Sequence, residues 1–195
     1  MESNALLHLH AWLSGPAGQR LLPFSFVLML LGGGGFLLFM CLRGLTPEAA
    51  TPFRLQRAAT AQEFGEVVLS WSDGSPTQIL DSIRVFRLGT LIFDTIWPLG
   101  YGLLGMLVLA RLTRPLAQAG HAAWALFLIS LFILAVLFDF AENIQSIRLL
   151  SQVRDKADLL SLSEHQFVLL RFFTRAKWNL IVAGLLASAW LWVRN

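Results

Sequence analysis

Long apolar stretches alternate with short polar ones along this chain, and this pattern predicts the architecture. Four stretches are long enough to cross the ~30 Å hydrocarbon layer of a membrane, which takes about 20 helical residues. They cover roughly residues 21–42, 88–110, 122–147 and 167–193. Strand-length alternating segments, which are typical of an outer-membrane barrel, are absent from the sequence. The pattern predicts an all-α membrane protein built as a four-transmembrane-helix bundle.

The segment between the first two apolar stretches has a different pattern. Its apolar residues recur at near-helical spacing over about residues 52–71, while Arg57, Glu63 and Glu66 fall on the opposite face. We expect an amphipathic helix that ends before a turn at residues 72–76. This helix either folds over the mouth of the bundle or lies on the membrane surface without a further role.

The other connections are short, and no internal repeat is visible. We therefore expect residues 1–195 to form a single membrane domain whose helices alternate in direction. The chain starts without basic residues and without a convincing cleavage site, so we expect its first apolar stretch to be retained as a membrane helix. The lysine and arginine counts near the helix ends favour a cytoplasmic location for the first and third loops. Acidic residues almost balance the basic residues of the first loop, so the orientation stays open.

Composition narrows the class further. Apolar residues make up 56% of the chain and charged residues only 14%, which excludes an ordinary soluble domain. The net charge of +3 is small, so we expect a lipid bilayer as the partner and no nucleic acid. Cys41 is the single cysteine, and zinc-type spacing, a nucleophile elbow, a P-loop and a dinucleotide fingerprint are all missing. The sequence therefore predicts no metal and no cofactor.

Acidic residues inside the apolar stretches are the best functional clue. A carboxylate at the centre of a membrane helix costs roughly 2.5 to 3.5 kcal/mol on insertion scales, so such groups are paired, hydrated or functional. Asp94, Asp139 and Glu142 lie in the second and third stretches, and Lys177 lies in the fourth. With a rise of ~1.5 Å per residue, Asp94, Asp139 and Lys177 fall within roughly 9 to 15 Å of one membrane interface. We expect them to meet.

The second helix carries a polar stripe, because Asp94, Pro98 and Tyr101 recur at steps of three and four. Pro98 has no N–H, so the carbonyl oxygen of Asp94 loses its partner within the helix. A free carbonyl beside a carboxylate suits a cation or a proton. The alternative is an ordinary packing kink whose carbonyl is bonded by water or by Thr95.

The third helix places two carboxylates one turn apart, which repel each other if both are ionised. Arg175 and Lys177 in the fourth helix are the expected cationic partners, and a purely structural ion-pair network is the alternative to a functional site. The predicted buried polar cluster consists of Asp94, Pro98, Tyr101, Asp139, Glu142, Asn143, Arg175 and Lys177.

Three motifs resemble a group of small bacterial four-helix membrane proteins that have no assigned activity. The motifs are Asp94-x-x-x-Pro98-x-x-Tyr101-Gly102, Asp139-x-x-Glu142-Asn143 and Lys177-Trp178. The likeness covers roughly residues 50–192. It implies a protein of the bacterial inner membrane in which these motif residues form a shared core, and it implies an N-terminus on the inside.

Three functions fit these observations. The first is an accessory or assembly subunit of a larger membrane complex, since the chain is small and Gly32 to Gly35 offer a contact face to other subunits. The second is a proton- or cation-coupled transport site at the carboxylates. The third is a membrane enzyme acting on a lipid headgroup, with Glu142 or Asp139 as general base and Lys177 or Arg175 holding an anionic group. Whether the protein is an enzyme stays open.

Overall fold

A computed structural model describes residues 2–45, 52–71, 76–153, 158 and 161–194, and within them the chain forms helices and no strand. The predicted turn at residues 72–76 lies outside the described residues, apart from Pro76. The helices are α1 (Glu2–Ser14), α2 (Pro16–Gln19), α3 (Leu22–Leu42), α4 (Pro52–Arg57), α5 (Ala61–Leu69), α6 (Pro76–Leu112), α7 (Arg114–Gln118), α8 (Ala122–Ser151) and α9 (Glu164–Arg194).

Four of these helices are long and apolar enough to cross a membrane, and they fall where the apolar stretches predict them. The apolar spans are Pro16–Leu42, Thr77–Leu112, Ala122–Ser151 and Glu164–Arg194. The prediction of an all-α, multi-pass membrane bundle in contact with lipid is therefore confirmed. Helix α6 begins well before the predicted start at residue 88, because Ile79, Ile83 and Phe86 continue its buried face.

The spanning helices pack mainly in chain order. The most extensive interface joins α3 to α6, α8 packs against both α6 and α9, and α6 meets α9 over a smaller area. Glycines permit the close approach of α3 to α6: a Cβ at Gly32 would collide with the backbone of Trp97, and one at Gly100 with the backbone of Met29. Helices α3 and α9 therefore form opposite sides of the bundle.

The amphipathic segment folds over one end of the bundle, which agrees with the first of the two alternatives predicted from the sequence. Leu55, Phe64 and Val68 are fully buried, and the ring of Phe64 lies 5.4 Å from the ring of Phe167 in α9. The segment is two short helices rather than one. Thr60 caps α5 by accepting a hydrogen bond from the Glu63 amide, while Glu63 accepts one from the amide of Ala59, and this capping box breaks the helix.

An N-terminal helix that the apolar pattern does not reveal packs at the other end of the bundle. Helix α1 contacts α6 and α8, and it buries His10, whose Nε2 lies 2.9 Å from the hydroxyl oxygen of Thr113. Its outer face is apolar, with Leu9 and Trp12 exposed. A helix that buries polar groups and exposes apolar ones suits a lipid environment.

Candidate functional site

Lys177 joins the two carboxylates of α8 in a buried ion-pair centre. Its Nζ lies 2.9 Å from Asp139 Oδ1 and 2.8 Å from Glu142 Oε2. The side chains of Lys177, Asp139 and Glu142 are 6%, 3% and 0% exposed. One ammonium group thus bridges two carboxylates one helical turn apart, which offsets the repulsion between them.

Tyr101 forms a hydrogen bond with the second carboxylate oxygen of Asp139. Its hydroxyl donates a hydrogen bond of 2.8 Å to Asp139 Oδ2, and the carbonyl of Ala135 lies 3.3 Å away as a second acceptor. Lys177 occupies Oδ1 of the same carboxylate. Both oxygens of Asp139 are therefore engaged by charged or hydrogen-bonding partners, and three helices are tied together at this residue.

The carbonyl freed by Pro98 is bonded by a side chain from the neighbouring helix. Asn143 Nδ2 donates a hydrogen bond of 3.0 Å to the carbonyl oxygen of Asp94. The hydroxyl of Thr95, a predicted partner of that carbonyl, instead reaches the carbonyl of Thr90 at 3.4 Å. The backbone at the proline is therefore satisfied without a bound ion, and Asn143 locks α8 against α6.

Asp94 has a different environment from Asp139. It is only partly buried, and none of the ion pairs among the described residues includes it. The amide of Asn143 lies within hydrogen-bonding reach of its carboxylate. Arg175, a predicted partner, is exposed, and it is Lys177 that pairs with Asp139 and Glu142. We use "carboxylate cluster" below for Asp94, Asp139, Glu142 and Lys177.

Three members of the carboxylate cluster, Asp94, Asp139 and Lys177, line one end of a cavity of about 540 Å³. This lateral cleft runs between α3 and α9, over a floor of α6 and α8; its walls include Met29, Phe36, Trp97, Val108, Trp178 and Leu185. Three of the wall residues, Leu37, Trp178 and Leu185, are more than 40% exposed on spanning helices. The cleft therefore opens sideways, at the level of the membrane.

The cap contributes a residue to the cleft that the sequence analysis missed. Gln56 of α4 lines the cleft together with Asp94, Asp139 and Lys177, and it is only 4% exposed. Its Oε1 is buried and accepts no hydrogen bond from the described residues. The sequence gives little signal for it, because Gln56 is next to Arg57 and falls at the edge of the apolar face, about 100° from Leu55 around a helix.

The cluster holds more negative than positive charge. Asp94, Asp139 and Glu142 carry three negative charges when ionised, against the single positive charge of Lys177, which gives a net charge of −2. The described residues contain no group of three or more His, Cys, Asp and Glu side chains placed to hold a metal ion. The excess negative charge of the cluster would be offset by bound protons or by a cation.

Comparisons of the chain with protein-family models, with curated proteins and with solved structures find no match. The resemblance to small bacterial four-helix membrane proteins stays a prediction. The functional argument therefore depends on the geometry of the cluster and of the lateral cleft.

Proposed function

We propose that the protein is a proton-coupled transport protein of the bacterial inner membrane and that the carboxylate cluster is its proton site. The observation that carries the proposal is the placement of three carboxylates around a single lysine, which pairs with Asp139 and Glu142 and leaves Asp94 unpaired at the end of a cleft that opens sideways. The assignment to the bacterial inner membrane rests on the resemblance of the motif residues to a group of small bacterial membrane proteins.

The excess negative charge of the carboxylate cluster favours the uptake of protons. Uncompensated charge is costly at this depth, roughly 2.5 to 3.5 kcal/mol for each acidic group on insertion scales. Protons or a cation entering the cleft would remove that cost, and their departure would restore it. Binding at this place is therefore linked to the charge state of the cluster.

The groups divide into a fixed part and an exchanging part. Asp139 is held on both oxygens by Lys177 and Tyr101, and Glu142 is sealed beside Lys177. Asp94 faces the cleft and lacks a basic partner among the described residues. We therefore assign proton exchange with the cleft to Asp94 and the fixed electrostatic surroundings to the ion-pair centre.

Infrared difference spectra of the purified protein, recorded as a function of pH, test this proposal. We expect the wild type to gain the C=O stretch of a protonated carboxyl group as the pH falls, and Asp94→Asn to lose that component. Asp81→Asn is the matched control, because Asp81 lies on the same helix but is 72% exposed and paired with Arg84. A band of equal size in wild type and Asp94→Asn would overturn the proposal.

The two other functions stay predictions. The accessory-subunit hypothesis drew on glycines available for outside contacts, but Gly32 and Gly33 face Trp97 and Gly35 faces the ring of Phe93, within the bundle, which leaves only Gly34 of the four open to the outside. The lipid-headgroup enzyme requires an anionic group held by Lys177, whose ammonium is already shared between Asp139 and Glu142. Neither hypothesis gains a specific supporting contact.

A further inference from the structure

We infer that the lateral cleft binds an organic cation carried on an apolar body, with its ammonium group between Asp94 and Gln56 and its apolar part along α6 and α9. This inference rests on the proposed function, because the cation and the proton share Asp94. It names the class of substrate that the proton would be coupled to.

The shape of the cleft suits an amphiphile. Polar side chains line one end, and the rest is apolar as far as Val108 on α6 and Leu185 on α9, with Ser188 at its limit. From Asp94 to Val108 and from Lys177 to Ser188, the helices rise roughly 16 to 21 Å at 1.5 Å per residue. That length is comparable to one leaflet, which is about half of the ~30 Å hydrocarbon layer. An extended chain that lies parallel to the lipid tails therefore fits.

Charge and hydrogen bonding select a cation at the polar end. The cluster carries a net negative charge when ionised, and the positive charge of Lys177 is already shared between two carboxylates. Gln56 adds an independent observation, because the residue lines the cleft and its buried Oε1 has no donor among the described residues. An ammonium N–H would supply that donor, and the Asp94 carboxylate would neutralise the charge. An anionic head would meet repulsion instead.

Aromatic rings reinforce this selectivity. Phe36, Trp97, Tyr101, Phe132 and Trp178 all line the cleft. The face of an aromatic ring attracts an ammonium group, and the attraction increases when water is excluded. The same rings offer a large apolar surface to the body of the ligand. The cleft therefore combines a carboxylate, a free acceptor and aromatic faces, which together match a quaternary or primary ammonium on an apolar carrier.

Protons compete with such a ligand at Asp94. The charged and titratable groups facing Asp94 are Asp139 and Glu142 from α8, Lys177 from α9 and Tyr101 from its own helix. The residues that α3 and α4 contribute to the cleft carry no charge. Protonation of Asp94 removes the charge that holds the ligand, so binding should weaken as the pH falls.

Binding of three amphiphiles with the same tail to the purified full chain in uncharged detergent tests the inference. Dodecyltrimethylammonium is the cation, dodecanol the neutral match and dodecanoate the anionic match. We expect the cation to bind at least roughly tenfold more tightly than either match, and Asp94→Asn to lose roughly tenfold in its affinity. We expect Gln56→Leu to weaken a primary dodecylammonium more than the trimethylated compound, because only the former has N–H groups for Oε1.

Two further variants separate the ligand site from folding. Asp81→Asn should keep wild-type affinity, since it changes an exposed carboxylate on the same helix. Ile181 of α9 also lines the apolar part of the cleft. Ile181→Trp narrows this part without changing a charge, so it should weaken binding of the dodecyl compound and leave the pH-dependent infrared band unchanged. Equal affinity for all three amphiphiles, or full affinity in Asp94→Asn, would overturn the inference.

The ammonium group could be carried by a membrane aminophospholipid or by a free amphiphile, and native mass spectrometry distinguishes the two. A lipid that co-purifies and is displaced by dodecyltrimethylammonium supports the lipid source. Binding of the added cation without any lipid displaced supports a free amphiphile. A cation that never binds while the infrared band persists would overturn this inference alone. A band that is absent from the wild type would overturn the proposed function itself.

Discussion

Asp139 and Asp94 are the same residue type at similar depth in the bundle, yet their surroundings differ. Both line the same end of the lateral cleft. Asp139 is only 3% exposed, with Lys177 on one oxygen and Tyr101 on the other. Asp94 is partly buried, and the described ion pairs do not include it. A buried carboxylate with both oxygens paired fits a structural role, whereas the proposal assigns proton exchange to the unpaired carboxylate. The comparison therefore defines which charge of the cluster should be structural and which should be functional if the proposal holds.

Removal of the shared lysine should produce the largest effect. Lys177→Met leaves Asp139 and Glu142 buried without their cation, and breaking a buried pair in this way costs about 3 to 5 kcal/mol. Unfolding of the detergent-solubilised protein by denaturant measures the loss. Arg175→Met is the matched control on the same helix, because Arg175 is exposed and its replacement should change stability by less than about 0.5 kcal/mol. Equal losses in the two variants would contradict a structural role for the ion-pair centre.

The Asn143 contact should give the next largest effect. Asn143→Leu leaves the Asp94 carbonyl without its donor, which costs about 1 to 3 kcal/mol for a buried acceptor. Pro98→Ala restores an N–H that can bond this carbonyl within the helix, so the cost of Asn143→Leu should shrink in that background. Unfolding free energies of the two single variants and the double variant measure this coupling. Strict additivity would show that Asn143 acts elsewhere.

Asp94→Asn should change the free energy of unfolding little, in contrast to the loss of pairing at Asp139. The substitution removes a charge without a basic partner and keeps the size of the side chain, so stability should stay within about 0.5 kcal/mol or increase. The same denaturant unfolding measures it, with Asp81→Asn as the exposed control. A loss as large as that of Lys177→Met would place Asp94 in the scaffold with Asp139.

The opposite end of the bundle should show a smaller, pH-dependent effect. Burial, and to a lesser extent the charge of Arg114, lower the pKa of His10 below its usual 6.5. The unfolded chain then binds a proton more readily than the folded chain, so docking of α1 is fully stable above about pH 6.5 and weakens as the pH falls below it. Hydrogen exchange of the α1 amides at pH 7.5 and 5.5 measures this change.

His10→Gln is the control for that experiment, because glutamine can still bond the hydroxyl of Thr113 but does not titrate. At pH 5.5 the protection of the α1 amides, measured relative to their intrinsic exchange rates at that pH, should fall less in His10→Gln than in the wild type. An identical pH response in the two proteins would show that His10 is not the group responsible.

Much of this structure follows from local sequence pattern, because a spanning helix satisfies its own backbone and needs only a long apolar run. Local pattern also decides between Arg175 and Lys177. Positions two apart lie about 200° apart around a helix, so only one of them can share the face of Leu170 and Thr174, and that residue is Lys177. The pairing of Asp139 with Lys177 fits the depths estimated from helical rise.

Other contacts depend on how segments that are distant in sequence pack against each other. The periodicity of apolar residues gives no information about this packing. The hydrogen bond from Asn143 to the Asp94 carbonyl requires one particular register between α6 and α8. Gln56 reaches the cleft only because the cap folds over the bundle. His10 and Thr113 are 103 residues apart in sequence. Nothing in the local sequence around each of these polar groups indicates its partner, because the partner is set by tertiary packing.

Labelling with a hydrophobic carbodiimide tests the central claim most directly, since this reagent enters from the lipid and modifies protonated carboxyl groups. The purified protein would be treated at several pH values, and the labelled residue identified by peptide mass spectrometry. We expect Asp94 to be modified, more at low pH than at high pH, with dodecyltrimethylammonium giving protection and Asp139 left unmodified. Labelling of Asp139 in preference to Asp94, or labelling of Asp94 that responds to neither pH nor the cation, would contradict the account.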